Sequence, residues 1–137
     1  MIVEINDSKT IGEISEAFSG AYPFLKLEFF KHPHQWEEES PPKELLAHDK
    51  KIGEVRTRHN PGSIEIHANS KTGSIEQDFT AMFGLNVQIL RHHTNEWVQT
   101  VGSDDLTIAQ QNEIGMNGSQ DLMHEADKHI ENEKNNK

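Results

Sequence analysis

The feature that most constrains this chain is an internal duplication. Segments 2–36 and 63–97 carry the same residue types in the same order, and Ile14 is matched by Ile75, 61 positions later. Single-residue differences in the loops shift that spacing by one position in either direction. Two copies are too few for a solenoid, which needs at least three repeats, so one pseudo-symmetric domain is predicted. Further matched positions are Ser8 and Ser70, Phe18 and Phe79, Leu25 and Leu85, Glu28 and Gln88, and Trp36 and Trp97.

Each copy has the pattern of a strand, a helix and a second strand. Apolar and polar residues alternate at 3–5 and at 64–66, which is typical of half-buried strands. Thr10 and Ser74 each stand three residues before a glutamate or glutamine, the spacing of a capping box, so each is expected to begin a helix. Apolar residues then recur at helical spacing. The second strands are expected at 25–30 and 85–90.

These elements predict an α+β fold. The expected topology is a ferredoxin-like antiparallel sheet made from the duplicated strand–helix–strand unit, with the helices on one face. In that topology the second and fourth strands lie at opposite edges of one sheet. The domain is expected to span 1–116, followed by a polar tail over 117–137 that is helical near 121–133. Additional elements are extra strands at 55–58 and 96–100 and a C-terminal helix at 106–114.

Composition narrows the chemistry and the partners. The 137 residues include no cysteine, so disulfides, thiolate metal sites and thiol nucleophiles are excluded. The net charge of -10 disfavours nucleic acid and anionic membranes but would not repel a basic protein. No apolar run approaches the roughly 20 residues that span a bilayer, and no signal peptide is visible, so a cytoplasmic location is expected. The sequence predicts no cofactor.

Nine histidines are the most conspicuous titratable residues. His32 and His34 follow the second strand of the first copy and are candidate metal ligands, whereas His92 and His93 end the matching strand of the second copy. At far corners of a ferredoxin-like sheet, these two pairs cannot share an ion, because ligands must lie within about 2.1 Å of the metal. No recognised catalytic motif is present, so the sequence assigns no catalytic residue.

Six residues are predicted to form a binding surface. Phe30 and Leu90 are expected to point outward from matched strands, and a tryptophan follows each of them. Outward apolar residues are usually covered, here either by the C-terminal helix or by a partner protein or second subunit. Two polar residues are expected to be neighbours on the open face of the sheet. The predicted binding residues are Glu28, Phe30, Trp36, His67, Leu90 and Trp97.

Three functions stay open at this point. The leading hypothesis is a non-catalytic interaction module that binds a protein or associates with itself. The alternative is a domain that binds a small ligand or a divalent metal through the open sheet face or the surface histidines. A third is a small enzyme with an unrecognised acid–base pair, which would require a deep pocket holding two titratable groups.

Overall fold

A computed structural model describes residues 1–34, 38–100 and 102–118 of the chain. The fold is α+β, as predicted, and both copies have the expected order of strand, helix and strand. In chain order the elements are β1 (Ile2–Ile5), α1 (Ile11–Ala21), β2 (Leu25–Phe30), a 3-10 turn (Pro42–Glu44), α2 (Ile52–Val55), β3 (Gly62–Glu65), α3 (Thr72–Phe83), β4 (Asn86–His93), β5 (Glu96–Gln99) and α4 (108–118).

The strands form two antiparallel sheets rather than one. β1 pairs with β3, and β2, β4 and β5 form a three-stranded sheet in which β4 is central. The ferredoxin-like topology is therefore wrong, because it places β2 and β4 at opposite edges whereas they are hydrogen-bonded neighbours. Alternation in a sequence specifies which face of a strand is buried, but it does not specify the partner strand.

Matched residues of the two copies face each other in both strand pairs. Val3 lies opposite Ile64 in the smaller sheet, and Glu28 lies opposite Gln88 in the larger one. Antiparallel pairing around two such positions has the geometry of an approximate two-fold axis. β2 and β4 therefore present equivalent residues on the same face of the sheet.

One hydrophobic core joins both sheets and both long helices. Phe18 of α1, Phe29 of β2 and Phe79 of α3 are fully buried, and the rings of Phe29 and Phe79 meet edge to face at 6.1 Å. Thr10 caps α1 by accepting a hydrogen bond from the Glu13 N–H at 3.1 Å, as expected. The other buried core residues are Val3, Ile5, Ile11, Ile14, Leu25, Leu27, Ile52, Ile64, Ile66, Ile75, Phe83, Leu85, Val87, Ile89 and Ile108.

The start of α3 differs from the prediction. The helix begins at Thr72, with Lys71 as its N-cap, so Ser74 lies inside the first turn and the predicted capping box is wrong. Gly84 ends α3 in the left-handed conformation, at φ 65, which a glycine adopts without steric cost. The earlier start places Glu76 one turn deeper in the helix than expected.

The extra strand predicted at 55–58 is also wrong. Ile52 to Val55 form the short helix α2, and its backbone bonds to the loop between β1 and α1. The N–H of Ile52 donates to the carbonyl of Lys9 at 2.8 Å, and residues 56–58 form no strand. Arg56 follows with a fully buried side chain that donates to Asp7 at 2.8 Å. The strand predicted at 96–100 is confirmed as β5.

Two loops bond to the starts of α1 and α3 in the same way. The N–H of Gly12 donates to the carbonyl of His48 at 2.9 Å, and the N–H of Gly73 donates to the carbonyl of Asp104 at the same distance. His48 and Asp104 thus occupy equivalent places beside matched helices. The flanking bonds repeat as well. Ile11 donates to Lys50 and Ile52 donates to Lys9 beside α1, while Thr72 donates to Leu106 and Ile108 donates to Ser70 beside α3.

The helix predicted after β5 is present as α4. Thr107 and Gln110 form the expected capping box, with reciprocal bonds of 3.1 and 2.9 Å. The helix was expected to end before Asn117, but it continues past that residue, because residues 108–118 are all helical. The helix predicted near 121–133 and most of the predicted tail lie outside the described residues. Within the described ranges, no helix has the length and apolar character needed to cross a membrane.

We expect Ile108→Ala to destabilise the protein by about 3 kcal/mol, because it removes a fully buried side chain and leaves a cavity in the core. Ile114→Ala on the same helix is the matched control, since Ile114 is 42% exposed, and it should change stability by less than about 0.5 kcal/mol. Urea unfolding measures both. Equal effects of the two substitutions would contradict the packing of α4 against the core.

Candidate functional site

The outer face of the three-stranded sheet carries most of the predicted binding residues. Alternation turns Lys26, Glu28 and Phe30 of β2 away from the core, and pairing places Leu90 of β4 directly beside Lys26. Trp97 and Gln99 of β5 continue this face, because Leu90 lies opposite Gln99. The face therefore mixes apolar and charged side chains from three strands.

A chain segment, 38–46, crosses this face and is held by two glutamine side chains. The amide of Gln88 donates to the Ser40 hydroxyl at 3.0 Å and to the Glu38 carbonyl at 2.8 Å. The amide of Gln99 both donates to the Ser40 carbonyl at 2.8 Å and accepts from the Ser40 N–H at 2.9 Å. These bonds satisfy the polar groups of Ser40, which is only 2% exposed. The segment thereby encloses part of the face.

A cavity of about 450 Å³ lies between this segment and β5. Four of the six predicted binding residues line it, namely Glu28, Phe30, Leu90 and Trp97. The sequence therefore identified a group of residues that the fold brings together, although it placed them in a different topology. The segment and the strands also contribute Lys26, Glu39, Pro42, Leu45, Val98 and Gln99.

The polar end of this cavity is a row of ionisable side chains. Glu28 is 6% exposed, and its Oε2 lies 3.0 Å from Nε2 of His48. Lys26 Nζ lies 3.6 Å from Glu28 Oε1, which is an ion pair longer than a hydrogen bond. A nearly buried carboxylate is costly without partners, and these two side chains supply them. The arrangement offers a ligand both a cation and a carboxylate.

Trp97 forms the aromatic side of the cavity. Lys26 Nζ stands 5.1 Å from the centre of the indole, within the range of a cation–π contact. The ring centroids of His92 and Trp97 lie 5.2 Å apart in an edge-to-face arrangement, so contacts with two side chains restrain the orientation of the indole. Trp97 nevertheless remains 38% exposed. An oriented, part-exposed indole is a typical surface for binding an apolar or planar group.

The predicted covering of this face by the C-terminal helix is wrong for the described part of α4. Ile108 enters the core on the other side of the sheet. Asn112 accepts from the Phe24 N–H at 3.0 Å, and Gln111 accepts from Arg91 at 2.7 Å. Phe30 is nevertheless buried, and the crossing segment forms a backbone bridge with it at Leu45. Nothing in the residue pattern indicated that an acidic, proline-bearing loop would take this role.

Of the other two predicted binding residues, His67 does not line this cavity. Trp36 lies outside the described residues. His67 is beyond β3, with its ring 3.6 Å from Glu65, and it is not the neighbour of Glu28. That expectation is wrong because β3 and β2 belong to different sheets. His48, which sequence reasoning passed over, contacts Glu28 instead.

The candidate metal ligands His32 and His34 have different partners. His32 Nδ1 lies 2.5 Å from Glu44, while His34 Nε2 lies 2.9 Å from the Val87 carbonyl. His92 lies at the other end of the β2–β4 pair, roughly 20 Å away along six residues of strand. Among the described residues, no three His, Cys, Asp or Glu side chains are arranged to hold a metal ion.

Sequence reasoning missed a buried carboxyl group, Glu76 of α3. It is 2% exposed, and its Oε2 accepts a hydrogen bond of 2.8 Å from the Ile89 N–H. Ile89 lies beside the end of β5. The carbonyl of Ile89 accepts from the Thr100 N–H, whereas the N–H of Ile89 has no partner in a described strand. The signal was present in the sequence, because Glu76 follows Thr72 by four residues and precedes Phe79 by three, on the buried face of the helix.

Burial raises the pKa of Glu76 to about 8, although the hydrogen bond from Ile89 lowers it and Asp104 raises it further. Glu76 Oε1 has no hydrogen-bond partner in the described part of the chain. The side chain is therefore largely protonated at neutral pH, in contrast to the exposed carboxylates that dominate the surface.

A larger depression of about 680 Å³ lies between the crossing segment and α2. Leu45, Lys50 and Arg56 are among the residues that line it, and none of the predicted binding residues that the structure describes does. Among the described residues, no aromatic side chain lines it. Its buried cation, Arg56, already binds Asp7. The chemistry there is less suited to recognition than the chemistry around Trp97.

No protein-family model matches the sequence, and the searches of curated proteins and of solved structures also found no match.

We expect Glu76→Gln to gain stability relative to the parent protein as pH rises from about 4.5 to about 8. In this window the unfolded state loses the Glu76 proton while the folded state keeps it, so the parent protein loses stability with increasing pH. The difference should grow by on the order of 1 kcal/mol per pH unit and become constant above about pH 8.

Urea unfolding at several pH values measures this difference. Asp78→Asn is the matched control, because Asp78 is exposed on the same helix, and it should show no such trend. A difference between Glu76→Gln and the parent that stays constant from about pH 5 to about pH 8 would contradict the raised pKa.

Proposed function

We propose that this protein is a binding domain for a small amphipathic molecule, held in the cavity on the outer face of the β2–β4–β5 sheet. The observation that carries the proposal is the joining of Trp97, Phe30 and Leu90 with the Lys26–Glu28 pair in one concave site. Apolar walls with a few oriented polar groups are the usual composition of small-molecule sites.

The size of the cavity supports a small molecule. Its volume of about 450 Å³ falls within the roughly 300–1,000 Å³ typical of ligand pockets. Protein interfaces instead require broad surfaces, commonly about 800 Å² on each partner. Only two of the large exposed apolar side chains, Leu45 and Trp97, line this site. A concave site of this kind favours a compact ligand over a flat partner.

The two ends of the cavity indicate the shape of the ligand. A planar or aliphatic body would pack against Trp97, Leu45 and Leu90. A polar group would face Lys26 and Glu28, whose positions are restrained by the indole and by His48. Because contacts within the protein already orient these groups, little conformational entropy remains to be lost on binding.

The duplication gives this site its position. We infer that 2–36 and 63–97 are copies of one unit, in which β2 and β4 pair around the matched residues Glu28 and Gln88. The outer face of that pair is where the two copies meet. Glu28 lines the cavity, whereas Gln88 fastens the crossing segment, so the matched positions have taken complementary roles.

Anilinonaphthalene sulfonate is a suitable first probe, because it has a planar apolar body and an anionic end. We expect the protein to bind it with enhanced probe fluorescence, and Trp97→Ala to weaken binding at least tenfold, or about 1.4 kcal/mol. Lys26→Met should weaken binding by a smaller factor through loss of attraction to the sulfonate. Fluorescence titration at about pH 7 measures each affinity.

Met82→Ala is the matched control, since Met82 is 46% exposed on α3 and does not line the cavity. It should bind the probe as the parent protein does. Far-ultraviolet circular dichroism must show each variant folded. Equal affinities of Trp97→Ala and Met82→Ala would reject the outer-face cavity as the binding site.

An interaction module remains the second candidate, because Leu45 and Trp97 are both substantially exposed beside the edge strand β5. In that case the cavity would receive an apolar side chain from a protein partner or from a second copy of the chain. Sedimentation equilibrium tests self-association. A dimer that Trp97→Ala dissociates, while the folded monomer persists, would support this function over small-molecule binding.

A further inference from the structure

A second, smaller cavity lies against α3, on the inner side of the larger sheet. Its volume is about 180 Å³, and it is bounded by α3, by His34 after β2 and by Asp104 before α4. At about 30 Å³ per water molecule, this space accommodates a ligand of roughly six non-hydrogen atoms. The outer-face cavity does not share its lining residues.

Glu76 Oε1 makes this cavity chemically unusual. The Glu76 side chain is 1% exposed, and Oε1 has no hydrogen-bond partner within the described residues. The nearest cationic candidate, His34, places its Nε2 at 4.0 Å from Oε1, beyond hydrogen-bond distance. That nitrogen is instead 2.9 Å from the Val87 carbonyl. Glu76 thus lines a cavity while the bonding capacity of one of its carboxyl oxygens is unused.

The matched position of the first copy shows that packing does not require a carboxylate here. Ser15 of α1 corresponds to Glu76 at the 61-residue spacing, just as Gly12 corresponds to Gly73. Ser15 meets the edge of β2 by donating to the Leu27 carbonyl at 2.6 Å, with no charge. A small neutral side chain therefore suffices at this contact between helix and strand.

We propose that the inner cavity binds a small organic cation, a primary ammonium group on a short aliphatic chain, through Glu76 Oε1. Asp104, which is 2% exposed and also lines the cavity, supplies the second negative charge. An ammonium ion needs no fixed coordination polyhedron and can donate to a single carboxylate. This suits the described residues, in which no three acidic or histidine side chains are arranged around a metal.

Binding is expected to release a proton. Glu76 is largely protonated at neutral pH, so the cation must displace that proton. His34 and Asp104 are the titratable groups that face Glu76 from neighbouring segments, and β4 contributes the Ile89 N–H. Arg91, the next charged residue along this face of β4, donates to Gln111. Affinity should therefore rise about tenfold per pH unit below about pH 8 and level off above it.

The test uses the full chain, with propylammonium as the probe and neutral propanol as its isostere. Titration calorimetry and the carboxyl carbon signal of labelled Glu76 report binding and ionisation. We expect propylammonium to bind with the stated pH dependence and to release close to one proton at about pH 6.5. We expect propanol to bind at least tenfold more weakly at about pH 8.5.

Three variants separate this site from general electrostatic attraction to an acidic protein. Glu76→Gln should lose both the pH dependence and at least tenfold in affinity at about pH 8.5. Asp78→Asn, which changes an exposed carboxylate on the same helix, should bind as the parent does. His34→Gln should retain the pH dependence, which assigns the proton to Glu76.

Ala81→Leu keeps the proposal testable if Glu76→Gln perturbs folding. Ala81 is exposed at the edge of the cavity, so the larger side chain should fill the space and abolish binding with an unchanged melting temperature. Unchanged affinity in Ala81→Leu and Glu76→Gln would overturn the proposal. Equal binding of propanol and propylammonium, or binding that strengthens toward low pH, would also overturn it and would indicate a neutral ligand that accepts a hydrogen bond from protonated Glu76.

Discussion

The antiparallel pairing of β2 with β4 is the constraint on which the rest of the structure depends. With Glu28 opposite Gln88, the outward residues of both strands form one continuous surface, and the inward residues, such as Leu27 and Ile89, complete the core. A slip of one residue in a strand would exchange its inward and outward side chains. The apolar outer patch and the interior packing therefore require this register together.

Strand β4 contacts residues of both cavities, because its outer face lines one of them and its edge binds Glu76 of the other. On the outer face, Gln88 fastens the crossing segment and Leu90 lines the larger cavity. At its edge, beyond the end of β5, the unpaired N–H of Ile89 is satisfied by Glu76. The short length of β5 is thus the reason that a carboxyl group reaches this strand. A longer β5 would occupy that N–H and leave Glu76 without any hydrogen-bond donor.

The local patterns of the sequence predicted the elements better than their arrangement. Alternation placed Phe30 and Leu90 on one face, and that face does form a cavity with Trp97. The predicted topology was wrong because the alternation of apolar and polar residues in β2 is compatible with any antiparallel partner strand. The contact of His48 with Glu28 was not predictable either, since it joins residues 20 positions apart through a loop whose path depends on tertiary hydrogen bonds. Glu76 was predictable from helical period alone, but a misplaced helix start concealed it.

The two predicted copies differ most where their buried carboxyl groups lie. The first has neutral Ser15 at the inner position and Glu28 on the outer face, where the loop that follows this copy brings His48 to the carboxyl group. The second copy reverses this arrangement, with neutral Gln88 outside and Glu76 inside. Asp104 and His48 occupy equivalent positions, because the carbonyl of His48 accepts from the Gly12 N–H and the carbonyl of Asp104 accepts from the Gly73 N–H. The outer carboxyl group thus lies beside a histidine and a lysine, whereas burial, with a smaller contribution from Asp104, raises the pKa of the inner one to about 8. The two cavities therefore differ in chemical character: the outer one is lined by a carboxyl group beside a lysine, and the inner one by a carboxyl group that holds its proton.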